Sequence, residues 1–445
     1  MTSQLSTGPG PSAPASVPQL RSITIKRPAM SEHGLLDYAT RDDSLMWSRR
    51  GEGVIGFGQV ARFEATGSGR FAAAREWWTQ VTDNAGVEDP LEVPGTGLIA
   101  FGAFAFSFSS TYASRLIVPR IVVGRNDECS WITYTVNDPQ AELSIAAAEA
   151  ELAELLEDYS AEHELGSGVD RLVPGQITEA EYMESVRQGV ARINAGDVTK
   201  LVLARDAVAD LAAPIAVAQV LRQLALRYAD CWTYSVDGLI GATPEMLVRV
   251  RGDIAEARVL AGTLDRATAP AGDTDYAQRM LVKDEKQRHE HQLAIDSLTE
   301  QLGPLASGMD APAEPFVLQL PNVWHLASDV KASLARREDG SVPSVLDLAE
   351  VFHPTAAVCG TPTQDAGRIL RELEGIDRGP YAGPVGWIDT RGNGEFGIAL
   401  RGGVIESPTS IRLYAGCGIV AASNPEEELA ESWAKMRPMR EALGI

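Results

Sequence analysis

The segment DEKQRHEHQLAID, residues 284–296, decides how the rest of the chain is interpreted. It lies in a run, residues 274–301, that contains neither Gly nor Pro and has apolar residues at helical spacing, which predicts a helix. His289 and His291 flank Glu290, but neighbouring positions on a helix point about 100° apart, so the three side chains cannot share one ion. A zinc site of the HExxH kind needs histidines four residues apart. Glu290 is therefore either a solvated acidic position or a ligand of a hard cation such as Mg²⁺.

A second carboxylate is available near the C-terminus. Asn424 and Pro425 predict the start of a helix, with Asn as the cap and Pro at the first helical position. Glu428, Glu431 and Lys435 follow at i, i+3 and i+7, so they form one polar stripe. That stripe is either a salt-bridged surface or one side of a cation site.

Composition and charge exclude several classes of function. The 445 residues are 44% hydrophobic and 22% charged, which suits a globular protein with a large core. The formal charge of −22 disfavours nucleic acid and anionic membrane surfaces as partners. The longest apolar run, residues 98–106, falls short of the ~18 residues that cross a bilayer. The four cysteines are scattered without metal-binding spacing, so we expect a reduced, cytoplasmic compartment.

The sequence divides into a tail and two parts. Residues 1–18 are rich in Ser, Pro, Ala and Gly and predict a disordered tail. Residues 19–170 form an N-terminal part of mainly antiparallel sheet, and residues 171–445 form the catalytic region, expected to make one compact unit with it. The elements predicted in the N-terminal part are strands 53–63, 98–106, 116–123 and 130–136, a helix from Asp138 to Glu164, and a linker over 166–176.

Two charged side chains interrupt apolar strands. Lys200 shares a predicted strand face with Val198 and Val202. Loss of hydration favours the neutral amine, which can act as a base, whereas an edge-strand lysine that blocks aggregation is the structural alternative. Glu245 follows Pro244 within an apolar run, where a carboxyl can stay protonated and serve as a proton donor.

The last quarter of the chain predicts a wall that binds carboxylates. A hairpin over residues 385–401 places Arg401 on the face of Gly397 and Ala399, small residues that leave room above them. Arginine in such a position suits a carboxylate. Alternate glycines in residues 416–418 expose backbone N–H groups on one side of the chain.

The order of these motifs resembles that of the chorismate-utilising enzymes, most closely the isochorismate synthases. The resemblance covers about residues 178–436. The motifs that carry it are TKLVLAR (199–205), TPE (243–245), LAGT (260–263), EKQRHEH (285–291), WHL (324–326), HPT (353–355), AGCG (415–418) and the helix with Glu431 and Lys435.

The resemblance implies an α+β fold of two large, mainly antiparallel sheets stacked face to face, with helices outside. It implies an isomerase that converts chorismate to isochorismate with Mg²⁺ as cofactor, for menaquinone or siderophore biosynthesis. Ammonia-using relatives carry Gln at the position of Lys200 and rely on a glutaminase, so water is the expected nucleophile here and no glutaminase subunit is expected. We expect a monomer whose partner is the small-molecule substrate chorismate.

The resemblance also implies the roles of individual residues. Lys200 would be the base that activates water for attack on C2 of chorismate, and Glu245 the acid that protonates the departing C4 hydroxyl. Glu290 and Glu431 would bind Mg²⁺, with Glu428 acting through water. The substrate-binding residues implied are Gly262, Thr263, His325, Ala357, Tyr381, Arg401, Gly416, Gly418 and Lys435.

Two other functions stay open at this point. A salicylate synthase would form isochorismate and then eliminate pyruvate, but those relatives tend to carry Thr where Ala357 stands. A non-catalytic protein could bind a carboxylate ligand in the same cleft, although binding alone needs no acid–base pair such as Lys200 and Glu245. Leu264 and Cys417 depart from the family pattern, which often has Arg and Ala at these positions.

Overall fold

A computed structural model provides the structure of the chain. It describes residues 17–31, 33–138, 140–141, 143–157, 169–266, 269–270, 273, 275–319 and 323–445. Of the predicted disordered tail, residues 1–16 lie outside the described residues. None of the helices within the described ranges combines the length and the apolar character needed to cross a bilayer.

The first sheet has thirteen strands, numbered here in chain order. Its pairs are antiparallel wherever the structure describes them, except that β1 and β5 run parallel. In spatial order the strands are β10 (Val169–Pro174), β11 (Lys200–Leu211), β23 (Ser410–Ile419), β22 (Gly402–Ser407), β13 (Leu239–Thr243), β12 (Trp232–Val236), β2 (Leu45–Arg49), β3 (Glu52–Phe57), β8 (Ile121–Arg125), β9 (Ser130–Val136), β1 (Arg21–Arg27) and β5 (Gly86–Glu88), with β19 (Gly360–Thr361) beside β11.

Within the described residues, the second sheet has ten strands and eight α-helices complete the fold. In spatial order the strands are β16 (Ala306–Asp310), β18 (Val323–Leu334), β15 (Ile254–Asp265), β14 (Met246–Arg251), β21 (Gly394–Ile398), β20 (Pro384–Asp389), β6 (Ile99–Ala103), β7 (Ser114–Val118) and β4 (Ala61–Ala65), with β17 (Phe316–Gln319) beside β18. The helices are α1 (Arg70–Asp83), α2 (Ile145–Glu157), α3 (Glu179–Asn194), α4 (Val217–Arg227), α5 (Glu285–Leu302), α6 (Val345–Phe352), α7 (Thr363–Leu373) and α8 (Pro425–Ala442).

The two sheets pack against each other through large apolar side chains. One buried cluster contains Trp47 and Trp232 of the first sheet together with Phe101, Val385 and Trp387 of the second. The outer faces are covered by helices, with α4 and α8 against the first sheet and α1 and α6 against the second. This arrangement confirms the predicted α+β fold class of two stacked, mainly antiparallel sheets. Strands from residues 19–170 and from residues 171–445 occur in both sheets.

Three stretches that we interpreted as single strands each prove to be two strands in different sheets. Residues 53–63 divide into β3 and β4, residues 116–123 into β7 and β8, and residues 239–248 into β13 and β14. The breaks have local causes. Gly58 has a positive φ of 63°, and Pro119 and Pro244 cannot donate a ladder hydrogen bond. The last break places Pro244-Glu245 where the chain passes from one sheet to the other.

Several predicted boundaries are wrong. The helix that we expected from residue 274 begins at Glu285, where the Asp284 carboxylate caps it by accepting from the Gln287 N–H at 2.8 Å. A π-helical turn, Gln278–Val282, precedes that helix. The helix expected from Asp138 begins later, at Ile145, and its predicted end at Glu164 lies outside the described residues.

The segment that we took for a linker also contains regular structure. The predicted linker over 166–176 contains β10, which pairs with β11.

Two helices begin at well-defined caps, of which the one at Asn424 was predicted. Thr178 and Glu181 form a capping box at the start of α3. Asn424 caps α8 by accepting from the backbone N–H groups of Glu426 and Glu427 at 3.0 and 3.1 Å. These caps fix the positions where α3 and α8 begin beside the first sheet.

Packing between β20 and β21 predicts a strict requirement for glycine at position 386. A Cβ there would overlap the backbone oxygen of Glu395, whereas a Cβ at Gly308 in β16 would meet no atom within 4 Å. We expect Gly386→Ala to lower the free energy of unfolding by about 3 kcal/mol and Gly308→Ala to change it by less than about 0.5 kcal/mol. Urea unfolding measures both. Equal effects of the two substitutions would contradict the described contact between the two strands.

Candidate active site

Four segments that are distant in sequence meet at one end of the two sheets. They are the first residue of β11, the crossover at Glu245, the turn after β21 and α8. Charges from the other three segments act on the Glu245 carboxyl, since the cations of Lys200, Arg401 and Lys435 each influence its ionisation. The structure therefore brings together the predicted base, the predicted acid and two of the predicted substrate-binding cations.

Glu245 is buried, with 8% of its surface exposed. Its backbone N–H donates to the Thr243 hydroxyl at 3.2 Å, and its carbonyl accepts from the Ile398 N–H at 3.0 Å, so both sheets hold this residue. Burial raises the pKa of the Glu245 carboxyl to about 7, although the nearby cations act in the opposite direction. A substantial fraction of this carboxyl is therefore protonated at neutral pH and able to donate a proton.

Lys200 lies at the start of β11, where its side chain extends over β23. A Cβ added at Gly418 would come within 3.0 Å of Lys200 Cε. The absence of a side chain at Gly418 thus leaves the space that the lysine occupies. The predicted apolar strand face is present, since Val198 and Val202 are buried. Gly418 therefore serves as a floor under Lys200 in addition to its predicted place in the substrate site.

A cavity of about 390 Å³ opens beside Lys200. Residues of α5 and of the segment after α6 line it, including His289, Leu293, Ala356 and Ala357. A smaller cavity, of about 40 Å³, is lined by Glu245 and shares Ala356 and Ala357 with the larger one. Ala357 thus lies between the base and the acid, as expected for a residue of the substrate site.

Arg401 lies in a turn and not on the strand where we predicted it. β21 ends at Ile398, and Arg401 has a positive φ of 52° just before β22 begins. The prediction was wrong because the chain changes sheets here, so the alternation of a single strand does not apply. Among the described residues no hydrogen-bond or ion-pair partner holds the Arg401 guanidinium. Its charge nevertheless acts on Glu245 and Glu431, so it faces the site.

Lys435 and Tyr381 border the glycines of β23. Lys435 Nζ donates to the Gly416 carbonyl at 2.8 Å and pairs with Glu431 Oε1 at 2.6 Å. Tyr381 stacks on Tyr414 with ring centroids 5.1 Å apart, and a Cβ at Gly416 would come within 3.1 Å of its hydroxyl. Burial raises the pKa of Tyr381 to about 12, so the hydroxyl remains a neutral donor.

His325 is a neutral ring in the same region. Burial lowers the pKa of His325 to about 3, and the cations Arg401 and Lys435 add to this effect. Its Nδ1 lies 3.3 Å from the Gly262 carbonyl oxygen, so the tautomer with Nδ1–H donates to that carbonyl. Gly262 has a positive φ of 82° at an irregularity of β15. The side chain of Thr263 lies outside the described residues.

The predicted cation ligands on α8 lie close together. Ligand atoms of Glu428, Glu431 and Cys417 all lie within 4.8 Å of one another. Burial raises the pKa of the Glu428 carboxyl, and the neighbouring negative charge of Glu431 adds to this effect. Glu428 also accepts from the Ser423 hydroxyl at 2.7 Å. The third predicted ligand, Glu290, lies on α5, but its side chain lies outside the described residues.

This donor set fits a hard cation. Carboxylate oxygens are the protein ligands that Mg²⁺ prefers, and partial exposure of Glu431 leaves room for water and substrate oxygens. Cys417 does not change that conclusion, because burial raises the pKa of its thiol to about 11 and so keeps it protonated.

Sequence reasoning missed some residues that support the site. Ser423, which orients Glu428, stands directly before the Asn424 cap and could have been noticed from that position. Gln287 was also missed. A Cβ at Gly262 would come within 2.6 Å of the Gln287 side-chain oxygen, so the glycine allows β15 and α5 to approach each other. Apart from Gly262, nothing in the sequence indicated this contact.

Comparisons with known proteins bear on the chemistry of this site. A family model described as chorismate binding enzyme matches residues 12–444. The salicylate biosynthesis isochorismate synthase of Pseudomonas aeruginosa is 31% identical over 409 residues, which cover 90% of this chain and 84% of that protein. Isochorismate synthase DhbC of Bacillus subtilis is 37% identical over 276 residues, which cover 60% of this chain and 68% of that protein.

A solved structure extends the similarity to the fold. MenF, the menaquinone-specific isochorismate synthase from Escherichia coli, has a TM-score of 0.76 with this chain and 24% sequence identity, covering 96% of this chain and 95% of that one. The two-sheet architecture described above is therefore that of a known fold over nearly the whole length of both chains.

The buried Glu245 carboxyl predicts a pH-dependent effect of Glu245→Gln on stability. Its pKa in the folded protein, about 7, lies above the ordinary value of 4.5, so folding favours the protonated form. The free energy of unfolding of the wild type therefore falls by up to about 3 kcal/mol relative to that of the variant as pH rises from about 4.5 through 7. Urea unfolding at pH 5 and pH 8 measures this difference. Glu300→Gln, on the exposed surface of α5, controls for the loss of one negative charge. A difference between Glu245→Gln and wild type that does not change with pH would contradict the assignment.

Proposed function

The chain belongs to the chorismate-binding enzyme family, and on that premise we propose that it is a Mg²⁺-dependent isochorismate synthase. In this reaction water adds at C2 of chorismate, the ring double bonds shift, and the C4 hydroxyl departs. One water enters and one leaves, so the net change is an isomerisation. The product would supply menaquinone or siderophore biosynthesis, which are the two pathways expected from the sequence.

The observation that carries this proposal is the pairing of Glu245 with Lys200. Departure of hydroxide from C4 requires a proton, and the Glu245 carboxyl, with its pKa near 7, can donate one at neutral pH. Attack by water at C2 requires removal of a proton, which the Lys200 amine accepts. Lys200 begins a strand of the first sheet and Glu245 lies at the crossover between the two sheets, so the two groups come from separate segments and could serve opposite sides of one substrate. Proton exchange with solvent then restores the neutral Lys200 amine and the protonated Glu245 carboxyl before the next turnover.

Cations near the acid explain how a protein with a charge of −22 binds a substrate with two carboxylates. Arg401 faces the site without a hydrogen-bond or ion-pair partner among the described residues, so its planar guanidinium is available to a carboxylate. The Tyr381 hydroxyl and the backbone at Gly416 and Gly418 lie beside it and offer neutral hydrogen-bond donors. Together these groups would hold the enolpyruvyl carboxylate.

The carboxylates of Glu431 and Glu290 would hold Mg²⁺, with Glu428 acting through a bound water. When bound, the ion supplies positive charge that neutralises the ring carboxylate of chorismate. Glu431 and Lys435 form an ion pair at 2.6 Å, so the ammonium keeps the Glu431 carboxylate in its ionised form as well as oriented. The role of Lys435 is thus to position a ligand as well as to line the pocket.

We also weigh release of salicylate after pyruvate elimination. The wall between the two cavities at position 357 is an alanine, whereas salicylate synthases tend to carry Thr there. This favours release of isochorismate.

An assay with purified protein, chorismate and Mg²⁺ tests the proposal. We expect isochorismate as the product in chromatographic separation, loss of turnover with EDTA, and recovery when Mg²⁺ is restored. Lys200→Ala removes the base and should lower kcat by about 10²–10⁴. Lys331→Ala, at an exposed lysine of β18, is the matched control and should keep wild-type turnover.

Each contrary outcome has a distinct meaning. Formation of equimolar salicylate and pyruvate would show that the protein is a salicylate synthase and not an isochorismate synthase. Full turnover in the Lys200→Ala protein would remove the lysine from the mechanism, and full turnover after exhaustive chelation would remove the metal.

A further inference from the structure

A buried ion pair lies behind the strand that carries Lys200. Glu374 and Arg378 follow the end of α7 and are 6% and 3% exposed. Arg378 Nε donates to Glu374 Oε2 at 2.8 Å, and Nη2 donates to Glu374 Oε1 at 2.5 Å. The Arg378 guanidinium also stacks on Phe106, with its central carbon 4.1 Å from the ring centroid. The proposed chemistry makes no use of these two residues.

The pair fills a gap in the first sheet. One edge of β11 pairs with β19 at Lys200 and Leu201 and with β10 only from Ala207 onward. Between these two partners, the polar backbone groups of β11 need other bonds, since an unpaired buried N–H or C=O costs free energy. Glu374 Oε1 accepts from the Ala204 N–H at 2.7 Å, and Arg378 Nη2 donates to the Val202 carbonyl at 2.6 Å. Two side chains thus replace a missing strand.

Arg378 also bonds to two further segments of the candidate site, one through its guanidinium and one through its backbone carbonyl. Arg378 Nη1 donates to the Val358 carbonyl at 2.8 Å, one residue after Ala357. The Arg378 carbonyl accepts from the Tyr381 N–H at 3.0 Å. Arg378 is therefore bonded within three residues of Lys200 and Ala357, which line the larger cavity, and directly to the backbone of Tyr381, a third segment of the candidate site.

We propose that Glu374 and Arg378 are positioning residues, which set the distance of the Lys200 amine from the cavity wall at Ala357 and from Tyr381. This inference rests on the proposed function for the identity of the reaction. A buried ion pair contributes little net stability compared with apolar residues of similar volume, because desolvation of the two charges offsets their attraction. Its planar, bidentate geometry instead defines relative position. Reaction rates are sensitive to the relative position of the reacting groups, since a displacement of about 1 Å can cost about 10²-fold in rate.

The test compares two arginines that form the same kind of bond. Arg378→Lys keeps the charge but loses the planar fork. Arg249→Lys makes the same change in a second partly buried pair, in which Arg249 Nε donates to Glu395 Oε1 at 2.8 Å and the guanidinium also contacts Glu256. Neither partner of Arg249 belongs to the candidate site. Both variants should lower the melting temperature by similar amounts.

Activity separates the two variants. We expect Arg378→Lys to lower kcat for isochorismate formation by about 10²-fold with KM changed less than about threefold, because Arg401 and Lys435 still bind the substrate. Arg249→Lys should keep kcat. Glu374→Gln, which preserves shape but removes the charge that Arg378 needs, is a second variant and should lower kcat in the same way.

Hydrogen exchange supplies a measurement that needs no turnover. The Val202 amide donates to the Cys359 carbonyl and the Ala204 amide donates to Glu374, so both should exchange faster in Arg378→Lys and unchanged in Arg249→Lys. If kcat per folded molecule in Arg378→Lys and Glu374→Gln equals that of Arg249→Lys, the positioning role is refuted while the wild-type activity stands. If the wild-type protein itself forms no isochorismate, the proposed function fails. In that case faster exchange confined to Arg378→Lys still supports the structural link, and unchanged exchange refutes it.

Discussion

Burial of one carboxyl group at a crossover between two sheets is the constraint on which the rest of the site depends. The chain leaves β13 and enters β14 through Pro244-Glu245, and Glu245 is largely buried there, with 8% of its surface exposed. A buried carboxyl favours its protonated form. Cations from β11, from the turn at Arg401 and from α8 limit that effect and keep the pKa near neutrality. They also create a positive region within an acidic protein, which attracts an anionic substrate.

β11 links the base to the proposed metal helix. Lys200 stands at its start, and Arg205, five residues later, is fully buried. The Arg205 guanidinium lies 4.4 Å from the Trp433 ring centroid and donates to the Ser432 hydroxyl at 3.1 Å, so it holds α8 against the sheet. Between these residues the strand is bonded to Glu374 and Arg378. One strand therefore relates the proposed base, the proposed metal carboxylates and the cavity wall.

Local signals in the sequence predicted those features that local chemistry determines. The cap at Asn424 acts within one helical turn, and Lys200 stands out because an ammonium is rare on an apolar strand face. The sheet changes at residues 58 and 119 were missed because residues that favour strands continue on both sides of each break. Arg401 was misplaced because the chain also changes sheets between β21 and β22. Glu374 and Arg378 bond to backbone groups almost two hundred residues away, and no pattern within the sequence reports such contacts.

The central claim is that Lys200 and Glu245 act in concert, so that a solvent water enters at C2 while the C4 hydroxyl leaves. Conversion of chorismate in ¹⁸O-labelled water, followed by mass spectrometry of the product, tests this most directly. We expect isochorismate with one ¹⁸O atom, located at C2. Unlabelled isochorismate would mean that the hydroxyl moves within the substrate, and it would refute the addition of solvent water.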